Sequence, residues 1–158
     1  MNGHNGENTP NELNALFTSS FVRTVDGKGR FSLPAQFRRS GEALGNECFY
    51  ATRGKNNTLC LMTGLEWAAA FAKMRRGEMT PTVMAQMRFM SRNSHKTMVD
   101  AQGRIQIPVK MLEQFGISER IEVVGMGHFM ELWPPEGLDQ HEQESPDIDE
   151  QFLGEFFS

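Results

Sequence analysis

Two arginines, Arg30 and Arg104, stand at the same place in a phrase that the chain writes twice. The first copy is VDGKGRFSLP, from Val25 to Pro34. The second, VDAQGRIQIP, runs from Val99 to Pro108. Asp, Gly, Arg and Pro keep their offsets in both. A guanidinium is a permanently charged planar fork of five N–H donors. It suits a carboxylate, a phosphate, or the O6/N7 edge of a guanine, where a bidentate pair is worth about 1–3 kcal/mol of discrimination. One reading of each copy is therefore an ion pair that fixes a turn, with Asp26 or Asp100 as the partner four residues earlier. The other is an arginine presented on a short, stiff support to bind something outside the chain, with the aspartate orienting it. The turn role is preferred for the two aspartates; the residues alone leave both roles open for the arginines.

The elements that must position them are readable around the phrase. Alternating runs precede each Asp, SFVRTV in one copy and HKTMV in the other, and FSLP or IQIP follows each Arg. Short alternating runs on either side of Asp-x-x-Gly predict two strands joined by a tight turn. Gly29 and Gly103 supply the positive φ that such turns need. Lys28 falls at the tip of the first turn and Gln102 at the tip of the second, so the copies differ in charge there. Arg23 and Lys96 lie on the leading strands. Pro34 and Pro108 each open a short helix, a position where proline's missing N–H costs nothing. A hairpin then follows in each copy, ECFYATRGKNNTLCLM and RIEVVGMGHFMELW.

Between the copies, LEWAAAFAKMRRGEMTPTVMAQMRFMSRN predicts two helices. Leu65, Ala69 and Ala72 mark the expected apolar face of the first, flanked by Trp67 and Phe71. Thr80 and Pro81 read as the N-cap and first turn of the second. Its Met84, Met87 and Phe89 suit a core or a subunit contact better than a cofactor box. PPEGLDQHEQESP suggests one polar helix before a loose acidic end. The resulting division is a disordered extension at 1–16, a first half at 17–64, connecting helices at 65–94, a second half at 95–135 and an acidic tail at 136–158.

Charge and composition bound the function. The 158 residues carry a net charge of −4, yet the last 23 hold eight acids and no Lys or Arg. The remaining body has 16 basic against 12 acidic residues. Such asymmetry is a hint of nucleic-acid binding. No apolar run approaches the roughly 18 residues of a membrane span, and the polar N-terminus lacks the order of a secretory signal. A cytoplasmic protein is expected, with Cys48 and Cys60 as buried thiols. His4, His95, His128 and His141 are scattered without metal-ligand spacing, and Ser94–His95 carries no nucleophile-elbow motif. No catalytic residue, metal or cofactor is expected.

The paired DGKGR and DAQGR motifs, each followed by apolar-x-apolar-Pro, resemble the two D-x-x-x-R motifs of the MraZ family. ATRG at Ala51–Gly54 and LEW at Leu65–Trp67 resemble it too, so the likeness spans Phe17 to Trp133. The family often has Gly near the position of Ser19. The resemblance implies an α+β fold: a pseudo-twofold, duplicated AbrB-like β-barrel of the double swapped-hairpin type, with two helices between the halves. It implies a transcriptional regulator, a repressor of the bacterial division and cell-wall gene cluster. Such a protein would bind tandem G-rich boxes in double-stranded DNA upstream of its own operon, as a ring of about eight to twelve subunits on the nucleoid. On this reading Arg30, Arg104 and Lys28 face DNA, and Arg23 and Lys96 are candidates for phosphate contacts. Arg38, Arg39, Arg75 and Arg76 are expected on solvated faces. The alternatives are an AbrB-like antitoxin and a structural ring protein without DNA binding.

Overall fold

The computed structural model describes residues 16–38, 48–145 and 147–158. The expected extension up to residue 15 and Arg39 lie outside the described residues. Eight strands are described: β1 Ser20–Thr24, β2 Arg30–Ser32, β3 Cys48–Arg53, β4 Leu59–Thr63, β5 Ser94–Met98, β6 Arg104–Gln106, β7 Arg120–Gly125 and β8 Phe129–Trp133. Five α-helices accompany them: α1 Gly64–Arg75, α2 Pro81–Arg92, α3 Val109–Gln114, α4 Pro135–Gln143 and α5 Glu150–Phe156. Residues 35–38 are also helical, following Pro34 as Val109–Gln114 follows Pro108.

Strands pair across the two copies. One antiparallel sheet has the order β1-β7-β8-β4-β3-β5, and β2 pairs only with β6 in a separate two-stranded ribbon. The leading strand of each copy therefore lies against the hairpin of the other. The registers superpose the copies: Phe21 faces Val123 as His95 faces Ala51, and Arg23 faces Ile121 as Thr97 faces Phe49. The ribbon lies on the pseudo-twofold axis, with Phe31 opposite Ile105. The α+β class is as expected. The closed barrel is not: among the described residues the large ladder ends at β1 and β5 and does not close.

One core serves both copies, because a three- or four-strand half has too little apolar surface to be stable alone. Phe31, Leu33 and Phe37 from one copy meet Ile105, Ile107 and Leu112 from the other, with Phe49, Leu61, Ile121 and Leu132 of the large sheet. Phe37 is fixed by edge-to-face contacts with Phe17 and Phe21.

Both connecting helices are capped by a threonine, and at α2 it is the expected one. Glu66 N–H donates to Thr63 Oγ1 at the start of α1, and Val83 N–H donates to Thr80 Oγ1 at the start of α2. Their packed faces differ from the expectation. Leu65, Ala69 and Ala72 are exposed, and α1 lies on the sheet through Trp67, stacked between Tyr50 and Phe71. Two stacked aromatic pairs outweigh one leucine and two alanines. Neither helix buries a residue fully, so among the described residues Met84 and Phe89 belong to no core. The expected loose end contains α5, capped where Phe152 N–H donates to Asp149 Oδ1.

Candidate nucleic-acid interface

Each repeated phrase folds into the same closed loop. Asp26 N–H donates to Arg30 O and Gly29 N–H to Asp26 O; Asp100 and Gly103 do the same with Arg104 O and Asp100 O. Asp26 Oδ1 accepts from the backbone N–H of Lys28 and of Arg30, each at 2.9 Å. Asp100 Oδ1 accepts likewise from Gln102 and Arg104. The second carboxylate oxygen takes the arginine's Nε, at 2.7 Å for Arg30 and 3.1 Å for Arg104. Both readings of the motif are thus compatible in one geometry: the aspartate fixes the turn and aims the arginine. Among the described residues no acceptor takes the Nη groups of either arginine.

Gly29 and Gly103 have φ of 78° and 77°. They also lie where the two copies cross. Ile107 N–H donates to Gly29 O, and Leu33 N–H donates to Gly103 O. A Cβ at Gly29 would collide with the carbonyl of Ile107; one at Gly103 would meet the guanidinium of Arg38.

The carboxylates are strongly held in their ionised form. Asp26 is lowered to about 2, first by the backbone N–H of Arg30 and then by its side chain. Asp100 is lowered too, chiefly by the backbone N–H of Arg104. Elsewhere, burial pushes the Cys60 thiol up to about 11.

In the ribbon, Arg30 stands opposite Gln106 and Ser32 opposite Arg104. Alternation along a strand then puts all four on the outward face, while Phe31 and Ile105 point into the core. Gln106 crosses back, donating from Nε2 to the carbonyl of Lys28 at 2.9 Å. An open groove of about 270 Å³ runs beside the ribbon, lined by Arg30, Arg104, Lys96, His95 and Gln106. The groove unites three of the five expected contact residues. Lys28 is exposed at the turn tip and does not line the groove. Arg23 stands apart: it lies over the ring of Phe21 and donates to the carbonyl of Val22. Under the repeat, the counterpart of Arg23 is Thr97 and that of Lys96 is Val22, so the two leading-strand cations occupy opposite strand faces.

Comparison with known proteins gives this chain a family. Residues 90–152 match the family model described as "MraZ protein, putative antitoxin-like". The chain is 34% identical over 119 residues to "Transcriptional regulator MraZ" of Alkaliphilus oremlandii, covering 75% of this chain and 80% of that protein. The protein of the same name from Desulfitobacterium hafniense gives the same figures. That of Natranaerobius thermophilus is 29% identical over 131 residues, or 82% of this chain and 89% of the relative. The chain belongs to the MraZ family.

The structure adds residues that the sequence reading left aside. Arg38 was expected on a solvated face, as Arg75 and Arg76 are, but it is half-buried and, among the described residues, its Nε has no partner. Four residues after Pro34, it mirrors Leu112, four after Pro108, and Leu112 packs against Gly29 as Arg38 packs against Gly103. That equal offset from proline was a usable signal. Ser19, near the family's glycine, has φ of 75°, where glycine sits without strain. His95 borders the groove from β5, and nothing in its sequence neighbours marks it out.

Proposed function

We propose that this chain is a sequence-specific DNA-binding transcriptional regulator. One observation carries the reading: both repeated arginines stand on the same outward face of the two-stranded ribbon, each aimed through Nε by its own aspartate. A two-stranded ribbon fits the major groove of B-DNA. Arg104 is the diagonal neighbour of Arg30, a separation of about 7–8 Å, or roughly two base steps at 3.4 Å each. Two guanidinium forks at that spacing suit a G-rich target. Lys28 reaches the same side from the turn tip, and Lys96 supplies a phosphate contact from the groove wall. Arg23, held over Phe21, is the weakest of the five.

The relatives' name supports transcriptional regulation. The family resemblance supports the finer reading: a repressor of the division and cell-wall gene cluster, acting in the cytoplasm on the nucleoid. It would bind tandem boxes upstream of its own gene as a ring of about eight to twelve subunits. The pairing of each leading strand with the other copy's hairpin supports an AbrB-like, swapped-hairpin arrangement of the halves at 17–64 and 95–135. Self-association is supported by exposed Met84, Phe89, Phe152, Phe156 and Phe157 on α2 and at the C-terminus, which no described part of the chain covers.

The antitoxin-like wording of the matching family model favours a second reading, a DNA-binding partner of a toxin. A mobility-shift assay with the DNA upstream of this gene tests the first. Arg30→Ala and Arg104→Ala should each weaken specific binding at least several-fold, with the circular dichroism spectrum and subunit number unchanged. Variants that bind like the wild type at the same salt would overturn the site. Light scattering that shows only a monomer at micromolar concentration would overturn the ring.

A further inference from the structure

His95, which lines the groove beside the ribbon, also lines a second depression of about 290 Å³. Arg53 enters it from the end of β3, Arg92 from the end of α2 and Lys110 from the first turn of α3. No carboxylate lines it, and among the described residues none of these three cations has an ion pair. Arg53 lies 5.8 Å from the centre of the Phe115 ring, and its backbone N–H donates to Asn93 O, so it is held on the depression's wall. Three like charges brought to one concave surface from three separate segments repel one another unless an anion joins them.

We propose that this depression is a second anion site, which holds the phosphodiester backbone of the duplex whose base edges meet the ribbon. The inference rests on the DNA reading above and extends it. The two sites differ in kind. Arg30 and Arg104 are aimed by carboxylates, which suits recognition of a base edge. Arg92 and Lys110 are exposed, with no aspartate to orient them, which suits contact with a charged backbone of any sequence. His95 lines both, so the two depressions are neighbours.

The test is the double variant R92A/K110A in the full-length protein. Both residues are exposed, and Arg53 is left in place on Phe115. Binding is titrated with a short duplex from upstream of the gene and with a random duplex of equal length, from 50 to 200 mM salt. Affinity for both should fall several-fold at the lowest salt, and by the same factor, so that the ratio between them is kept. The slope of log affinity against log salt should become shallower by roughly 1.8 for each engaged subunit. The charge-keeping R92K/K110R variant should restore most of the affinity and the slope. Arg30→Ala, by contrast, should lower the ratio. If the wild type discriminates its own DNA while R92A/K110A matches it in affinity and slope, the inference falls and the proposed function stands. A wild type that binds neither duplex at 50 mM salt overturns both. A loss confined to the upstream sequence, or a changed subunit number by light scattering, also overturns the inference, making the cluster a base contact or a subunit contact.

Discussion

An aspartate that accepts hydrogen bonds from two backbone amides and a guanidinium takes a proton reluctantly. Asp26 is such a residue, lowered from 3.8 to about 2 by the backbone and side-chain N–H groups of Arg30. Between these values the unfolded chain binds more protons than the folded one, so stability rises with pH across that window. The contribution is complete above 3.8 and lost as pH falls through about 2. The carboxylate is open to solvent, so the effect is modest. Asp26→Asn should flatten the dependence of the unfolding midpoint on pH between about 4 and 2; parallel curves for variant and wild type would contradict this account. Arg38 poses the opposite case, a charged group in a place built for an apolar one. Its mirror image is Leu112, 2% exposed. A buried N–H without a partner costs about 1–3 kcal/mol. Arg38→Leu should therefore leave stability unchanged or raise it by about 1 kcal/mol, whereas Leu112→Arg should cost more than about 3 kcal/mol. Urea denaturation measures both. A large loss in Arg38→Leu would mean that the guanidinium is held by interactions other than its packing on Gly103.

The β2–β6 ribbon is where the two copies become one structure, and the turn glycines decide whether it forms. Both would be strained as alanine, since both have positive φ. Their surroundings differ. At Gly29 the new methyl meets the backbone carbonyl of Ile107, a residue whose own N–H is tied to Gly29 O. At Gly103 it meets the far end of a long side chain, Arg38, which can swing away. Gly29→Ala should thus destabilise the fold by clearly more than Gly103→Ala, with roughly 1 kcal/mol as the smaller cost. Equal losses in thermal unfolding would contradict the difference. The same ribbon explains how far the sequence could be read. Strands, turns, caps and the repeat are local, and they are where Asp-x-x-Gly-Arg and the Thr-Pro start of α2 put them. Pairing is not local. Nothing within SFVRTV says that its partner is β7 rather than β3, because register is set by which face meets the shared core. The packed face of α1 escaped for a related reason: Trp67 finds Tyr50, which is distant in sequence. Arg53, Arg92 and Lys110 are unremarkable until the fold brings three segments together.

At the scale of the whole molecule, the acidic C-terminal region is two structures. Its first part, α4, is tied to the body: Pro135 is buried, Glu136 pairs with Arg120, and His141 lies against Trp133. Its second part, α5 with its flanking residues 147–149 and 157, carries both charge and exposed apolar side chains. Asp147, Asp149, Glu150 and Glu155 are joined there by Phe152, Leu153, Phe156 and Phe157, all exposed. A region of this kind can act by charge, competing with phosphates for the basic grooves of its own or a neighbouring subunit. It can also act by apolar contact, joining one subunit to the next. Removing all of 136–158 would confuse these effects with damage to the body, so two narrower changes are needed. One is truncation after Pro146, which removes both charge and apolar face. The other is D147N/D149N/E150Q/E155Q, which removes charge alone; asparagine still caps α5 at position 149. If the acids compete with DNA, both variants should bind random duplex more tightly than the wild type at low salt, and the excess should fade as salt rises. If the apolar face joins subunits, light scattering should show a smaller assembly for the truncated protein alone. Unchanged affinity for random DNA at every salt concentration, in both variants, would leave the acids no part in binding. An unchanged assembly in the truncated protein would move the subunit contact elsewhere, with the exposed Met84 and Phe89 of α2 next to be tested.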